Sequence, residues 1–328
     1  MSVDCKPLVS VIIPTYNRCE YVCKLIDSIL ESDYKEWECI IVDNASTDET
    51  GSKLKKRFHD SRIKYILLKE NYMAAGGRNA GIKEAKGELL LFIDNDNVIS
   101  SNMITVLVKS ITEKNAGLMG AMTVNVRDNK RTIWATKITF NKYTSRFLVC
   151  NSDVDYPLYG LDQFYDTLSV PNCFMVSKDA IKDIGGFDKQ YFAMYEESDF
   201  SFRLIRAGYK AYICTEALTY HYGALSKGES SELRFLGIEQ SLRAYHFSKN
   251  RSIFMKKYTD SFIQKLVFFL IFSNVFTVYY VYKALKNKRS DIAKYIIKGT
   301  VCGYFTKVSK EIYVPIGEMV YNETTILA

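Results

Sequence analysis

Four short apolar runs, at residues 9–13, 38–42, 63–68 and 89–93, alternate with stretches of helical periodicity. Runs of five or six residues, too short for a helix, read as buried strands. Between the first two, Val22, Leu25, Ile26, Ile29 and Leu30 recur at helical spacing. The charged segment 47–58 reads as a surface helix after the second run, and 79–85 as a short helix ahead of the fourth. Such alternation predicts an α/β fold whose mostly parallel sheet is covered on both faces. Ligands of these sheets bind beyond the carboxyl ends of the strands.

Three polar clusters stand at such ends: Pro14-Thr15-Tyr16-Asn17-Arg18, Asp43-Asn44-Ala45-Ser46 and Asp94-Asn95-Asp96. Two carboxylates one residue apart at the tip of a buried strand are costly unless they meet a cation or hydrogen-bond donors. A hard divalent metal carrying a diphosphate is such a partner, and an ordinary Asp/Asn turn is the plain alternative. Asp43 is placed to accept hydrogen bonds from a base or ribose, while Asn17, Ser46, Thr47 and Asp48 suit helix capping equally well. In Asn71–Gly81, the pair Gly76-Gly77 permits close backbone approach to a ligand and Arg78 offers a fork for phosphate. Neither G-x-G-x-x-G nor a P-loop occurs here, which argues against dehydrogenase and ATPase readings.

Farther along, Asp128-Asn129-Lys130 reads as a hairpin turn, 132–140 and 171–176 as strands, and Gly185-Gly186-Phe187-Asp188 as a turn. Glu196, Glu197 and Asp199 open a helix at 198–207 that Gly208 closes. Acids suit the positive end of a helix dipole, and equally a general base with supporting acceptors. A strand at 209–214 ends before His221, whose imidazole has the chemistry to complete a metal shell beside a carboxylate and diphosphate oxygens.

Taken in order, PTYNR, VDNASTD, NxxxxGGRNAGI, DND, GGFD, E-E-x-D and His resemble glycosyltransferase family 2 over roughly residues 8–225, most closely its rhamnosyltransferase-like branch. The stretch from Tyr245 to Arg251 is similar to the segment that follows the catalytic region there. The resemblance implies a GT-A fold: a Rossmann-like, mostly parallel sheet over 1–228, with a helical, basic-aromatic extension over 229–328. It implies a nucleotide-diphosphate sugar donor, with UDP or dTDP favoured. Thr15, Asp43 and Asp94 fall on the nucleoside, with Pro14, Tyr16, Asn17, Arg18, Asn44, Gly77, Arg78 and Asn95 around the donor. Asp96 and His221 fall on Mn²⁺ or Mg²⁺. The family's usual E-D pair reads Glu196-Glu197 here, so the base lies among Glu197, Glu196 and Asp199. The implied reaction is inverting transfer to a hydroxyl of a glycan or lipid-linked acceptor. A non-catalytic nucleotide-sugar or glycan-binding protein is the alternative.

Charge is uneven. Residues 241–310 hold 14 Lys+Arg against two acids, a balance of +12; the chain is +7, leaving −5 for the rest. A basic tract of this kind faces a polyanion, either nucleic acid or an anionic lipid surface. The seventeen uncharged residues 266–282, flanked by Lys, Arg and Tyr, favour lipid over nucleic acid. Attachment in the membrane interface, burial in protein and a full span are the three readings of that segment. Eight scattered cysteines without C-x-x-C, and an N-terminus without signal-peptide layout, lead to the expectation of a cytoplasmic protein on the inner face of the membrane.

Overall fold

The computed structural model describes residues 6–127, 130–223, 232–233, 237–308 and 321–327. Its centre is a parallel run of four strands, β1 (Val9–Thr15), β2 (Trp37–Asp43), β3 (Ile63–Leu68) and β4 (Leu89–Ile93), ordered β3-β2-β1-β4. Helices α1 (Cys19–Leu30), α2 (Thr50–Arg57) and α3 (Met73–Glu84) connect them. The apolar stripe of α1 is buried on one face of the sheet, and α3 covers the other, so the strands are mostly apolar on both faces. Helix α3 begins six residues before the position expected from sequence. Gly77 therefore joins Gly81 inside the helix, where both let it settle onto β1. A Cβ on Gly77 would sit 2.9 Å from Pro14 Cβ and 2.8 Å from Asn44 Nδ2, and one on Gly81 would overlap Ile12.

Past β4 come the short β5 (Asn97–Ile99), α4 (Met103–Glu113) and the long β6 (Leu118–Arg127). Strand β7 (Lys130–Ile133) pairs back on β6, Arg127 opposite Lys130; two residues of the expected hairpin turn, 128 and 129, lie outside the described residues. The predicted strand 132–140 is two strands, β7 and β8 (Lys137–Asn141), the latter forming a separate hairpin with β9 (Arg146–Cys150). Next come β10 (Phe164–Asp166), β11 (Cys173–Ser177), α5 (Lys178–Ile184), α6 (Glu196–Arg206) and β12 (Ala211–His221). Strand β11 inserts antiparallel between β4 and β6, and β12 runs parallel to β6. The strand expected to stop at 214 continues past an irregularity between Cys214 and Leu218, so His221 is its last residue.

The extension consists of α7 (Ser241–Tyr258), a continuous helical run Phe262–Lys286, and α10 (Ser290–Phe305). The run comprises α8 (Phe262–Val267), a π-helical turn (Phe268–Phe272) and α9 (Ser273–Lys286). Strand β13 (Tyr321–Ile326) pairs antiparallel with β3 at the edge of the first region's sheet, and Leu327 is buried in that core. Of the three readings of 266–282, burial within protein fits least: only 11% of the most apolar part of Phe262–Lys286 is buried.

Candidate active site

Arg78, on the buried face of α3, is fully enclosed. Its Nη2 lies 2.8 Å from Asp94 Oδ1 at the tip of β4 and 2.8 Å from Glu197 Oε1 in the first turn of α6. Its Nη1 is 4.0 Å from Glu196 Oε1. The guanidinium rests over Phe187 and Phe174, 5.2 and 5.8 Å from their ring centres. One buried cation thus joins acids more than one hundred residues apart in sequence. This corrects two readings. Arg78 faces carboxylates and is not an open phosphate fork. Gly77 packs against β1 and Asn44 and leaves its space to them, not to a ligand.

Three carboxylates around one guanidinium leave excess negative charge. Burial would drive the Arg78 proton off, but Glu197, Asp94 and Glu196 outweigh it and raise its pKa. Burial, despite Arg78, pushes Asp94 up to about 6. Burial and the neighbouring Glu197 push Glu196 up to about 8, and Glu196 Oε2 has no hydrogen-bond partner among the described residues. The Glu197 side chain keeps 21% of its surface exposed, against 9% for Glu196.

Asp96 and His221 meet because β12 pairs on two sides at its end. His221 lies opposite Asn97 of β5 and Asn125 of β6. Its Nδ1 is 3.0 Å from Asn125 Oδ1, and its Nε2 is 3.4 Å from Asp96 Oδ2. With Nδ1–H donated to the amide oxygen, Nε2 turns a lone pair toward a carboxylate, which is favourable only with a proton or a metal ion between them. Burial alone would raise the Asp96 pKa, but His221, and then Arg18, bring it below the ordinary value. A cavity of about 360 Å³ opens beside Asp96, lined by Tyr21, Lys24, Ser28 and Tyr222 among others. Among the described residues no group of three or more His, Cys, Asp or Glu side chains is arranged to hold a metal. The pair fits a hard cation that takes its remaining ligands from a diphosphate and water.

The other predicted residues line the same end of the sheet. Asn95 Nδ2 donates to Pro14 O at 3.1 Å and to Thr15 Oγ1 at 3.2 Å. Asp43 is buried and accepts from Ser46 N–H (2.8 Å) and Tyr65 O–H (2.7 Å). Asn44 Oδ1 accepts from Tyr72 N–H at 3.2 Å. Asn17, at φ 50°, accepts from Thr47 N–H through its side chain, 2.7 Å, tying the first loop to the second. Tyr16 and Arg18 are exposed there.

Asp199 does not join the cleft. It is fully buried and bonded to Arg203 (2.9 Å), Lys257 (2.7 Å) and Tyr258 (2.6 Å). Lys257 and Tyr258 tie α6 to α7 through it, and Arg203, itself on α6, goes on to donate to Ile184 O and Gly186 O (2.7 Å each), so Asp199 is an anchor and not a base. Several supports were not anticipated from sequence. They include Asn125 behind His221, and Asn79, whose amide donates to Phe187 O (2.8 Å) and accepts from Phe187 N–H (2.7 Å). Asn125, a lone Asn in an apolar strand, carries no sequence signal of its own.

The glycosyltransferase GlyG of Streptococcus pneumoniae serotype 4 is 34% identical over 34% of this chain and 38% of its own length. The Escherichia coli UDP-Glc:alpha-D-GlcNAc-diphosphoundecaprenol beta-1,3-glucosyltransferase WfgD is 32% identical over 41% of this chain and 54% of its own. The Campylobacter jejuni GalNAc(5)-diNAcBac-PP-undecaprenol beta-1,3-glucosyltransferase is 35% identical over 38% and 40%. The chain thus spans from 38% to 54% of the length of these relatives. The fold matches that of the mannosyltransferase PcManGT from Pyrobaculum calidifontis, solved in complex with GDP-Man and Mn2+. That match has a TM-score of 0.54 and 16% identity, and covers 92% of this chain and 88% of the other. Residues 10–185, more than half of the 328, match the family described as Glycosyl transferase family 2. With a GT-A sheet and its polar clusters in family order, the chain belongs to that family.

Proposed function

We propose that the chain transfers a sugar, with inversion and with Mn²⁺ or Mg²⁺, from a nucleotide-diphosphate sugar to a hydroxyl of a lipid-linked glycan. The observation that carries the metal-dependent reading is the Asp96–His221 pair. An imidazole whose other nitrogen is committed to Asn125 faces a carboxylate at 3.4 Å. Asp96 and His221 would hold a divalent cation there, which would supply neutralisation of the charge on the leaving diphosphate.

The remaining work falls to the chain's own groups. Thr15, Asp43 and the loops joined by Asn17 hold the nucleoside beyond β1 and β2. Glu197, the more exposed of the two adjacent acids, accepts the proton of the acceptor hydroxyl as its oxygen attacks the anomeric carbon opposite the diphosphate. Arg78 fixes that carboxylate against Asp94, so base and donor share one buried support. Inversion in one displacement needs no covalent enzyme intermediate.

UDP and dTDP remain the favoured nucleotides; the E. coli relative is named for UDP-Glc. The E. coli and C. jejuni relatives are both named for undecaprenol-linked diphosphates, which supports a lipid-linked acceptor. The run Phe262–Lys286 supports membrane contact. Its outer positions, among them Phe262, Leu270, Val278 and Tyr282, are more than half exposed. Its other side packs along the protein: Phe276 lies under Arg251 (3.9 Å) and Tyr280 against Phe247 (5.4 Å). A helix held sideways in this manner suits attachment in the plane of the interface.

Glu197→Gln tests the catalytic reading. Nucleoside diphosphate release from the preferred donor should fall at least about 100-fold, with the donor-induced thermal shift retained. Turnover within a few-fold of wild type would remove Glu197 as the base.

A further inference from the structure

The segment ahead of the catalytic acids holds an unusual backbone. Met194 and Tyr195, neither of them glycine, both lie in the left-handed region, at φ 67° and 72°. Tyr195 is the residue from which α6 begins, so this turn sets where Glu196 and Glu197 point. A left-handed pair of bulky residues persists only where its surroundings dictate it.

What dictates it is α7. Asn250, fully buried, donates its amide to Ala193 O at 2.7 Å and to Met194 O at 2.9 Å. Its own Oδ1 has no hydrogen-bond partner among the described residues. A buried amide with half its capacity unmet is a poor choice for packing, so its donor half is what the position requires. Phe247 and Phe254, one turn to either side on the same face of α7, pack on the Tyr195 ring at 6.2 and 5.4 Å. The helix therefore grips both residues of the turn.

We infer that Asn250 is a positioning residue for the reaction: its amide holds the left-handed turn at 193–195 and so delivers Glu197 to Arg78. The inference rests on the reading of Glu197 as the base. It gives a task to the Tyr245–Arg251 segment that the catalytic groups alone leave unexplained.

The test is a double-mutant cycle of Asn250→Asp, which replaces the two-hydrogen amide donor by a carboxyl with at most one hydrogen at constant volume, with Met194→Gly, which makes the left-handed conformation easy without it. Turnover is read as nucleoside diphosphate released from UDP-glucose, dTDP-rhamnose or GDP-mannose, whichever the protein uses. In the Met194 background, Asn250→Asp should lower kcat at least 30-fold and leave donor KM within twofold. In the Met194→Gly background the same change should cost less than fivefold. Crystal structures should show Glu197 swung away from Arg78 in the single Asn250 variant, and the 2.8 Å ion pair restored in the double. Asn250→Ala replaces Asn250→Asp should the latter not fold. An equal loss in both backgrounds, a kcat within threefold of wild type, or an unmoved turn would overturn the inference. Should Glu197→Gln keep full turnover while the cycle stays non-additive, the base assignment falls and the positioning role stands.

Discussion

At the scale of single residues, the site is governed by a mismatch of charge: Arg78 serves Asp94, Glu196 and Glu197 together. Glu196, pushed from 4.5 up to about 8, keeps a proton in the folded protein that the unfolded chain releases near its ordinary value. Across that window the folded state binds more protons, so the contribution of Glu196 to stability falls as pH rises. Glu196→Gln should flatten this dependence, shrinking the stability difference between pH 5 and pH 8 by on the order of 2 kcal/mol. Urea unfolding at both pH values in EDTA measures it; an unchanged difference would mean that Glu196 is ordinarily ionised. Asp94, Asp96 and Glu197 are legible in the sequence because acids at a strand tip or a helix start demand partners. Asp199 is not separable from them by that logic. Two residues on along α6 it points elsewhere, and Lys257 and Tyr258, which consume it, come some sixty residues later.

At the scale of elements, close approach of helices decides the geometry. Gly299 and Gly303 let α10 press on α7. A Cβ at Gly303 would lie 2.7 Å from the Lys249 carbonyl oxygen, and one at Gly299 would overlap that of Tyr245. Because backbone cannot yield as a side-chain tip does, Gly303→Ala should destabilise the protein by about 1–3 kcal/mol, read by denaturant unfolding. A change below about 0.5 kcal/mol would show that the helices do not meet there. The strands of the parallel core were readable to within two residues, since each is mostly apolar on both faces. The ends of α3 and β12 were not. The Gly76-Gly77 pair looks like loop chemistry until Pro14 and Asn44 are seen filling the space Gly77 leaves. Strand β12 crosses an irregularity that interrupts its pattern before reaching His221. Register with Asn97 and Asn125, a property of three strands together, is what brings the imidazole to Asp96.

At the scale of the whole molecule, the polar clusters at the carboxyl ends of the strands and a basic helical extension with an uncovered apolar side are joined through α7. Vesicles containing phosphatidylglycerol should carry the protein upward in flotation. Leu270→Glu with Val278→Glu, both on the uncovered side, should lower the bound fraction at least fivefold; equal flotation of the two would contradict attachment through this helix. The sequence showed this extension only as charge and missing polarity, because exposure depends on what else packs there. The most direct test of the account is the Mn²⁺-dependent thermal shift produced by UDP, dTDP or GDP. The account requires at least one of these to stabilise the wild-type protein more with Mn²⁺ than without, and requires Asp96→Ala and His221→Ala each to abolish that increment. An increment retained in both variants, or none with any of the three nucleotides, would contradict it.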